Sequence, residues 1–267
     1  MTELVTHQLS IIIPTLNEAE HIGSLLEHLI DNSTASNIAE IMIVDGGSID
    51  KTHDIIKKFV TSSDSEQSEE LYREVGSNVL DTKFSIENFT RTDIVLLNSE
   101  KGRAKQMNLA AKQATGGILY FLHADSFPPK DFDQLIIQKV ENNNLAGCFR
   151  MQFDSQHWWL RLASWLTQFR WRACRGGDQS QFITKTLFNE IGGFDEKFII
   201  YEDNILINEL YKRKQYVVIN KKLKTSARLY KKHGVWKLQY HFWAIYVKKW
   251  LGASADELYG YYKKYIT

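Results

Sequence analysis

The sequence predicts an α/β protein built on a mostly parallel sheet flanked by helices, with a C-terminal helical region. Short, continuously apolar runs recur at Leu9–Pro14, Ile38–Asp45, Asp93–Asn98 and Ile118–His123, and helical stretches separate them. The second run ends at Asp45 before Gly46-Gly47, and the fourth stops at Asp125. A strand buried on both faces loses the polar alternation of a one-sided sheet, and parallel neighbours need a crossover segment of the kind these helices supply.

Each element has its own justification. LSIIIP (9–14) is the first strand, and Asn17 is placed to cap the helix that follows, with Glu18 and Glu20 in its first turn. IAEIMIVD (38–45) stops at Gly46-Gly47, after which Ser48 and Asp50 can open the next helix. TSSDSEQSEE (61–70) is too polar to pack and reads as a solvated loop or helix end. DIVLLN (93–98), a helix over Arg103–Ala114 and ILYFLH (118–123) continue the alternation up to Asp125 and Pro128-Pro129. The second half is more mixed. It reads as a strand near Ala146–Phe153, a Trp-rich helix over 157–170, a loop at Arg175–Gln179 and a helix from about Glu202 to Lys212. Two short strands near 216–226 and a final helical region complete the reading, and one domain over 1–267 is expected.

Composition narrows the class. With 43% hydrophobic and 12% aromatic residues and only 3 prolines, the chain is neither collagenous nor disordered. Cys148 and Cys174 are too few for a disulfide framework, so both are expected as small buried apolar groups in a reducing, cytoplasmic setting. No signal peptide is expected at the N-terminus, and no apolar run reaches the length of a membrane span. The net charge of +1 hides an asymmetry: residues 210–255 contain 12 Lys/Arg and no Asp or Glu, whereas residues 1–209 hold 19 basic and 30 acidic residues. The acidic part suits a divalent cation, and the basic segment suits phosphates or an anionic surface. Nucleic acid is not expected as a partner, because its binders are more often basic overall.

Three clusters carry candidate chemistry. Asp45-Gly46-Gly47 is a turn by composition, yet an acid at the carboxyl end of a parallel strand can also accept hydrogen bonds from a nucleotide base or ribose. The GxGxxG fingerprint is missing after the first strand, which reads Pro14-Thr15-Leu16-Asn17-Glu18 and argues against a dehydrogenase. His123-Ala124-Asp125 either opens a turn or offers Asp125 as a hard oxygen ligand for Mg²⁺ or Mn²⁺, with His123 assisting Mn²⁺ in preference. Glu202-Asp203 either serves the dipole of a helix start or, after the turn at Gly192-Gly193, presents a general base to a cleft.

Taken together, LSIIIPTLNEAEHI (9–22), IMIVDGGSIDKT (41–52), GRAKQMNLAAKQATGGILYFLHADSFPP (102–129) and GGFDEKFIIYEDNILINELYKR (192–213) resemble family 2 glycosyltransferases with a GT-A, Rossmann-like fold. With GGDQSQF (176–182) and TSARLYKKHGVWK (225–237), the GRAKQMN (102–108) and FLHAD (121–125) blocks also resemble the bacterial radical-SAM/selenodomain-associated subgroup. The resemblance implies a nucleotide-binding half over 1–130, an acceptor-side half over 131–228 and a helical extension over 229–267. It assigns Thr15, Asn17 and Glu18 to the first nucleotide loop, Asp45 to base or ribose, and Arg103 to the nucleotide. His123-Ala124-Asp125 stands where the family has Asp-x-Asp, so Asp125 is the implied ligand of Mg²⁺ or Mn²⁺ and His123 the departure. Asp203 matches the catalytic base of a Glu-Asp pair completed by Glu202. Arg228 is a candidate for the diphosphate, with a solvated surface arginine as the plain alternative. Asp178 and Gln179 are candidates for the acceptor side or simply loop residues.

The implied reaction is inverting, metal-assisted transfer of a sugar from a nucleoside diphosphate sugar to a hydroxyl acceptor. Two rivals are a sugar-1-phosphate nucleotidylyltransferase, which would want a Gly-rich phosphate loop near the first strand, and a catalytically inactive nucleotide-binding protein, raised by His123. Aromatic residues form two helical stripes: Trp158, Leu162, Trp165, Leu166 and Phe169, then Trp236, Tyr240, Trp243, Val247 and Trp250. Core packing is the first expectation for both. An interfacial helix on anionic lipid, peripheral to the inner face of a membrane, is the alternative that would fit a lipid-linked acceptor.

Overall fold

The apolar run predicted as the first strand lies at the centre of a twisted sheet. In the computed structural model, which describes residues 7–61, 94–176 and 179–266, strand β1 (Leu9–Thr15) pairs in parallel with β2 (Ile38–Asp45) and with β4 (Ile118–Phe121). Strand β3 (Ile94–Asn98) extends the parallel block beyond β2. Ile11 and Ile13 point to one face and Ile12 to the other, as the period of two requires, and all three are fully buried.

Helices cover both faces. Helix α1 (Ile22–Asp31) buries Ile22, Leu25, Leu26 and Leu29, the i, i+3, i+4, i+7 stripe that lays it on the Ile11 face. Helix α2 (Thr52–Thr61) and α4 (Phe132–Glu141) add Ile56, Phe132 and Ile136 to that layer. On the Ile12 face, α3 (Arg103–Gln113) supplies Met107 together with Ala104, Ala110 and Ala111, whose small side chains let it lie close to β1 and β2. Each fully buried Leu or Ile contributes roughly 1.5–3 kcal/mol, so the two layers hold the carboxyl ends of the strands rigidly.

The second half closes the sheet with mixed pairing, in the order β3-β2-β1-β4-β7-β6-β8-β5 among the described residues. Strand β7 (Gln181–Thr184) runs antiparallel between β4 and β6 (Ala146–Phe153), and β8 (Val217–Thr225) lies parallel to β6. The two-residue β5 (Ser126–Phe127) pairs antiparallel with the end of β8, opposing Ser126 to Thr225. Helix α6 (Lys185–Ile191) and α7 (Glu202–Lys212) pack on the Ile12 face. Helices α5 (Trp158–Leu166), α8 (Arg228–His233), α9 (Val235–Trp250) and α10 (Ala255–Tyr265) gather around a third apolar cluster that includes Leu160, Tyr230, Leu238 and Leu258.

Several expectations are corrected. Helix α1 begins at Ile22 behind His21, with no acid in its first turn, so Asn17, Glu18 and Glu20 belong to a loop and Asn17 caps nothing. The two strands expected near 216–226 are one strand whose pairing with β6 shifts register between Phe149 and Arg150. Cys148 is buried as expected, whereas Cys174 is only partly so; both are free thiols. The aromatic stripes are not core: Trp158, Trp165, Trp236, Trp243 and Trp250 are all at least half exposed or nearly so. The polar run after Thr61 lies outside the described residues. Among the described residues no helix is long and apolar enough to cross a membrane.

Candidate active site

The parallel strands deliver their carboxyl ends, and the loops that follow them, to one edge of the sheet. Thr15 and Asp45 face each other in register at the ends of β1 and β2. Both are buried: the Thr15 hydroxyl donates to the Val44 carbonyl at 3.3 Å, and Asp45 Oδ2 accepts from the amides of Gly47 and Ser48 at 2.9 and 2.8 Å. The Ser48 hydroxyl donates to Asp45 Oδ1, and His53 Nε2 lies 3.0 Å from Oδ2. Burial works against ionisation of Asp45, but the Ser48 side chain, the Ser48 and Gly47 amides and His53 outweigh it and hold the carboxyl below its usual range. Asp45 therefore shapes a fixed anionic loop. Gly47 has φ +92°, and a Cβ on Gly46 would come within 3.1 Å of Gln106 Nε2, so both positions favour glycine.

Asn17 joins this loop to the one after β1. It sits in the left-handed region at φ +56°, which Asn tolerates, and its Oδ1 accepts from the Ile49 amide at 2.9 Å while its own amide donates to Ser48 Oγ at 2.8 Å. The next amide, Glu18 N, donates to Thr52 Oγ1 at 2.9 Å. Gln106, buried on α3, ties the two strand ends together by donating to the carbonyls of Thr15 and Val44 at 2.9 and 2.7 Å.

Arg103 opens the same helix, three residues before Gln106, and closes on the acid pair at the start of α7. Its Nε lies 2.8 Å from Glu202 Oε1, and a terminal nitrogen donates to Asp203 Oδ2. The sequence reading placed Arg103 on the nucleotide; here its guanidinium is committed to Glu202 and Asp203. Burial lifts Glu202 from an ordinary 4.5 to about 7 and also raises Asp203, in both cases against the opposing pull of Arg103. Glu202 is 2% exposed and the Asp203 side chain 12%, so Asp203 is the less buried of the two.

The segment before the pair is held by Asn108. Its Oδ1 accepts from the Phe194 amide at 3.0 Å, and its Nδ2 donates to the Phe194 carbonyl and to Glu196 Oε1, each at 2.9 Å. Tyr201, the residue preceding Glu202, adopts φ +72°, a costly conformation for a bulky side chain and one that turns the chain sharply into the helix. Arg172 secures α7 from outside, donating to Asn208 Oδ1 at 2.6 Å and to Asn204 Oδ1 at 2.9 Å.

Asp125 follows β4, and the β5–β8 pairing brings it beside Arg228. The Asp125 carbonyl accepts from the Ser226 amide at 3.3 Å, and Arg228 Nε lies 3.4 Å from Asp125 Oδ2. The same guanidinium forms a two-pronged bond to Glu18, at 2.8 and 2.5 Å. Thus Glu18, Asp125 and Arg228, drawn from three separate segments, meet at the carboxyl edge of the sheet. Hydrogen bonding to Glu18 raises the Arg228 pKa further, so its charge is permanent. His123 is partly buried and its carbonyl accepts from the Ser126 amide at 3.1 Å, which makes the turn carrying Asp125.

Among the described residues no three His, Cys, Asp or Glu side chains converge as a metal cage. Asp125 nevertheless fits a hard divalent cation of the kind that takes one carboxylate and completes its shell with phosphate oxygens and water. Its outward oxygen already attracts a positive group in Arg228.

On the remaining side, Gln179 is buried and fully engaged: its Oε1 accepts from Arg175 at 2.8 Å and its Nε2 donates to the Cys174 carbonyl at 2.8 Å. It pins its loop, the plainer of its two readings. Asp178 lies outside the described residues. Gln106, Asn108 and Arg172 escaped the sequence reading of the site. The only signal for the first two was their place in the GRAKQMN block.

A mostly parallel curled sheet whose carboxyl edge carries Asp45, Asp125 and an arginine-bound Glu-Asp pair is a GT-A glycosyltransferase fold. The chain belongs to glycosyl transferase family 2, whose model matches residues 10–74 and 80–219. A relative from Methanococcus voltae, dolichyl N-acetyl-alpha-D-glucosaminyl phosphate 3-beta-D-2,3-diacetamido-2,3-dideoxy-beta-D-glucuronosyltransferase, is 29% identical over 144 residues, covering 52% of this chain and 37% of its own length. Succinoglycan biosynthesis protein ExoA of Rhizobium meliloti is 44% identical over 59 residues, 22% of this chain and 18% of its own. The chain therefore spans well under half the length of these relatives. Among solved structures, S. aureus TarS 1-349 with UDP superposes with a TM-score of 0.57 at 17% identity, over 82% of this chain and 60% of that one. Mannosyltransferase PcManGT of Pyrobaculum calidifontis, with GDP-Man and Mn²⁺, gives 0.58 at 16% identity, over 89% and 60%. The matched residues make up a family 2 glycosyl transferase domain.

Proposed function

We propose that the chain catalyses inverting transfer of a sugar from a nucleoside diphosphate sugar to a hydroxyl acceptor, with Asp203 as the general base. The observation that carries this is the buried Glu202–Asp203 pair under Arg103, with Asp203 the more accessible carboxylate and both groups raised toward neutrality by burial. A base is most effective when its pKa lies near the working pH, which suits a carboxylate in this environment.

In the reaction an Asp203 oxygen takes the proton of the acceptor hydroxyl as that oxygen bonds to the anomeric carbon from the face opposite the diphosphate. The bond from the anomeric carbon to the phosphate oxygen breaks, and its electron pair leaves with the nucleoside diphosphate. No acid is needed to protonate that leaving group, in contrast to a glycosidase, because a diphosphate is already a stable anion. Asn17, Glu18 and the Asp45 loop form the donor side, and Arg228 lies where it can balance diphosphate charge. A Mg²⁺ or Mn²⁺ ion held by Asp125 would add Lewis-acid stabilisation of the same charge.

The reading extends to a lipid-linked acceptor and a cytoplasmic, peripheral location. Its support is the dolichyl phosphate in the name of the Methanococcus voltae relative and the basic segment 210–255. Within family 2, the GRAKQMN and FLHAD blocks favour the radical-SAM-associated subgroup. Incubation with a panel of UDP- and GDP-sugars, with and without Mn²⁺, followed by nucleoside diphosphate release and product stereochemistry, tests the proposal. An Asp203→Asn protein with parental transfer rates, or a product that keeps the donor's anomeric configuration, overturns it.

A further inference from the structure

The third apolar cluster leaves a large aromatic surface uncovered. Trp158 on α5 and Trp236 on α9 pack ring against ring at 5.7 Å, yet are 60% and 50% exposed. Trp159 bridges the two helices, with its ring 5.3 Å from Trp236 and 5.9 Å from Trp243. Along α9 the stripe continues through Trp243 and Val247 to Trp250, which is 84% exposed. Two helices thus present one continuous face of indoles. A single Trp covers roughly 150–250 Å², so the face exceeds what soluble surfaces ordinarily leave bare.

The charge around it selects the occupant. Exposed Lys232, Lys237 and Lys248 lie on α8 and α9, α5 contributes Arg161, and none of these three helices carries an acid; Lys231 is paired with Asp154 at 3.7 Å. A second copy seated on this face across a twofold axis would oppose cations to cations. Anionic lipid instead meets the lysines with phosphate charge and the indoles with the interfacial layer that tryptophan prefers.

A flank of the same helix touches the segment of the acid pair. The Tyr246 hydroxyl donates to Asn204 Oδ1 at 3.3 Å, the Tyr201 and Tyr246 rings meet at 5.3 Å, and Lys249 Nζ lies 4.5 Å above the Phe198 ring. Helix α9 therefore carries the exposed indole face and also contacts the stretch that carries Glu202 and Asp203.

We propose that the face formed by α5 and α9 docks the protein on an anionic membrane surface and fixes the Glu202–Asp203 edge beside that surface. The proposal deepens the lipid-linked acceptor reading above, and its test reads lipid binding alone, so it succeeds or fails independently of sugar transfer. The protein is cosedimented with vesicles of phosphatidylcholine, with and without phosphatidylglycerol, at low and high salt, while its tryptophan emission is followed. The expected result is binding that needs phosphatidylglycerol, weakens with salt and shifts the emission to the blue. The double substitution Trp243→Ser, Trp250→Ser should lower the partition coefficient on the order of 10-fold or more, since each indole withdrawn from the layer forfeits about as much as an exposed large apolar side chain. An unchanged melting curve establishes that this variant is folded, and Lys232→Glu with Lys237→Glu provides a second route that leaves the indoles intact. No sedimentation at low salt, binding indifferent to both variants, or indole-dependent self-association in ultracentrifugation without lipid binding overturns the proposal.

Discussion

Arg228 grips both carboxylate oxygens of Glu18, 210 positions earlier in the chain, while its Nε faces Asp125 at 3.4 Å. One guanidinium thereby ties the loop after β1 and the turn after β4 to the segment after β8. On the proposed reading, a nucleoside diphosphate entering between the strand ends would meet two acids already paired with Arg228. Arg228→Ala should weaken UDP or GDP binding by on the order of 10–100-fold, the scale of one charge-assisted hydrogen bond with its partners left unpaired. Arg228→Lys should recover only part of the loss, because a point charge lacks the fork that spans Glu18. Calorimetric titration of each variant measures both, and equal affinities across the series would return Arg228 to a surface role.

The same contact bears on the metal. Nucleoside diphosphate should bind more tightly with Mn²⁺ or Mg²⁺ present, and Asp125→Ala should remove most of that enhancement, since a cation with one protein carboxylate depends on it for its bridge to the diphosphate. Asp125→Ala should also leave metal-free binding comparatively intact. Titrations with added Mn²⁺ and with a chelator separate the two effects.

Asn108 sits among apolar residues and holds the loop leading to the acid pair. Removing its amide strands the Phe194 amide and carbonyl, so Asn108→Ala should cost about 1–3 kcal/mol of stability. Gly193→Ala should act on the same contact from the other side: the added Cβ would come within 2.8 Å of Asn108 Oδ1 at a φ of +78°. Urea unfolding of the two single variants and the double variant checks this, with less than additive losses expected for neighbours.

The strands whose pattern is local were legible. Ile38–Asp45, Ala146–Phe153 and helix Glu202–Lys212 occupy their predicted positions because apolar continuity, or a period of 3.6, identifies them without outside help. QFIT (181–184) was missed. Four residues carry no period, and what makes them a strand is a slot between β4 and β6. Asn17 illustrates competing preferences of one residue type: the side chain that favours helix caps also tolerates the left-handed region, and the link to Ile49 decided between them. The acids at strand ends were legible from position. Gln106 and Asn108 were not, because their work is done on backbone 91, 62 and 86 positions away. The Trp stripes show the limit of periodicity, which reveals that residues share a face but not whether anything covers it.

The acid pair gives the most specific pH dependence. Asp203→Asn should preserve the fold and donor binding and lower transfer by on the order of 10²–10⁴-fold, the range expected for a positioned base. Because burial raises Asp203 and the base must be ionised, the parental rate should climb with pH along an acid limb above the ordinary carboxylate range. Arg103 pulls both acids downward, so Arg103→Gln should displace that limb to higher pH, an effect that a merely structural arginine would not produce. Stability carries a related sign. Glu202 holds its proton more tightly folded, at about 7, than at its ordinary 4.5, so its protonation favours the native state fully below about 4.5 and ceases to do so as pH rises through 7. Glu202→Gln, which cannot ionise, should therefore flatten the decline in melting temperature across that window. Scanning calorimetry of both proteins from below 4.5 to above 7 is the measurement. A variant whose curve stays parallel to the parent would mean that Arg103 keeps Glu202 ionised throughout.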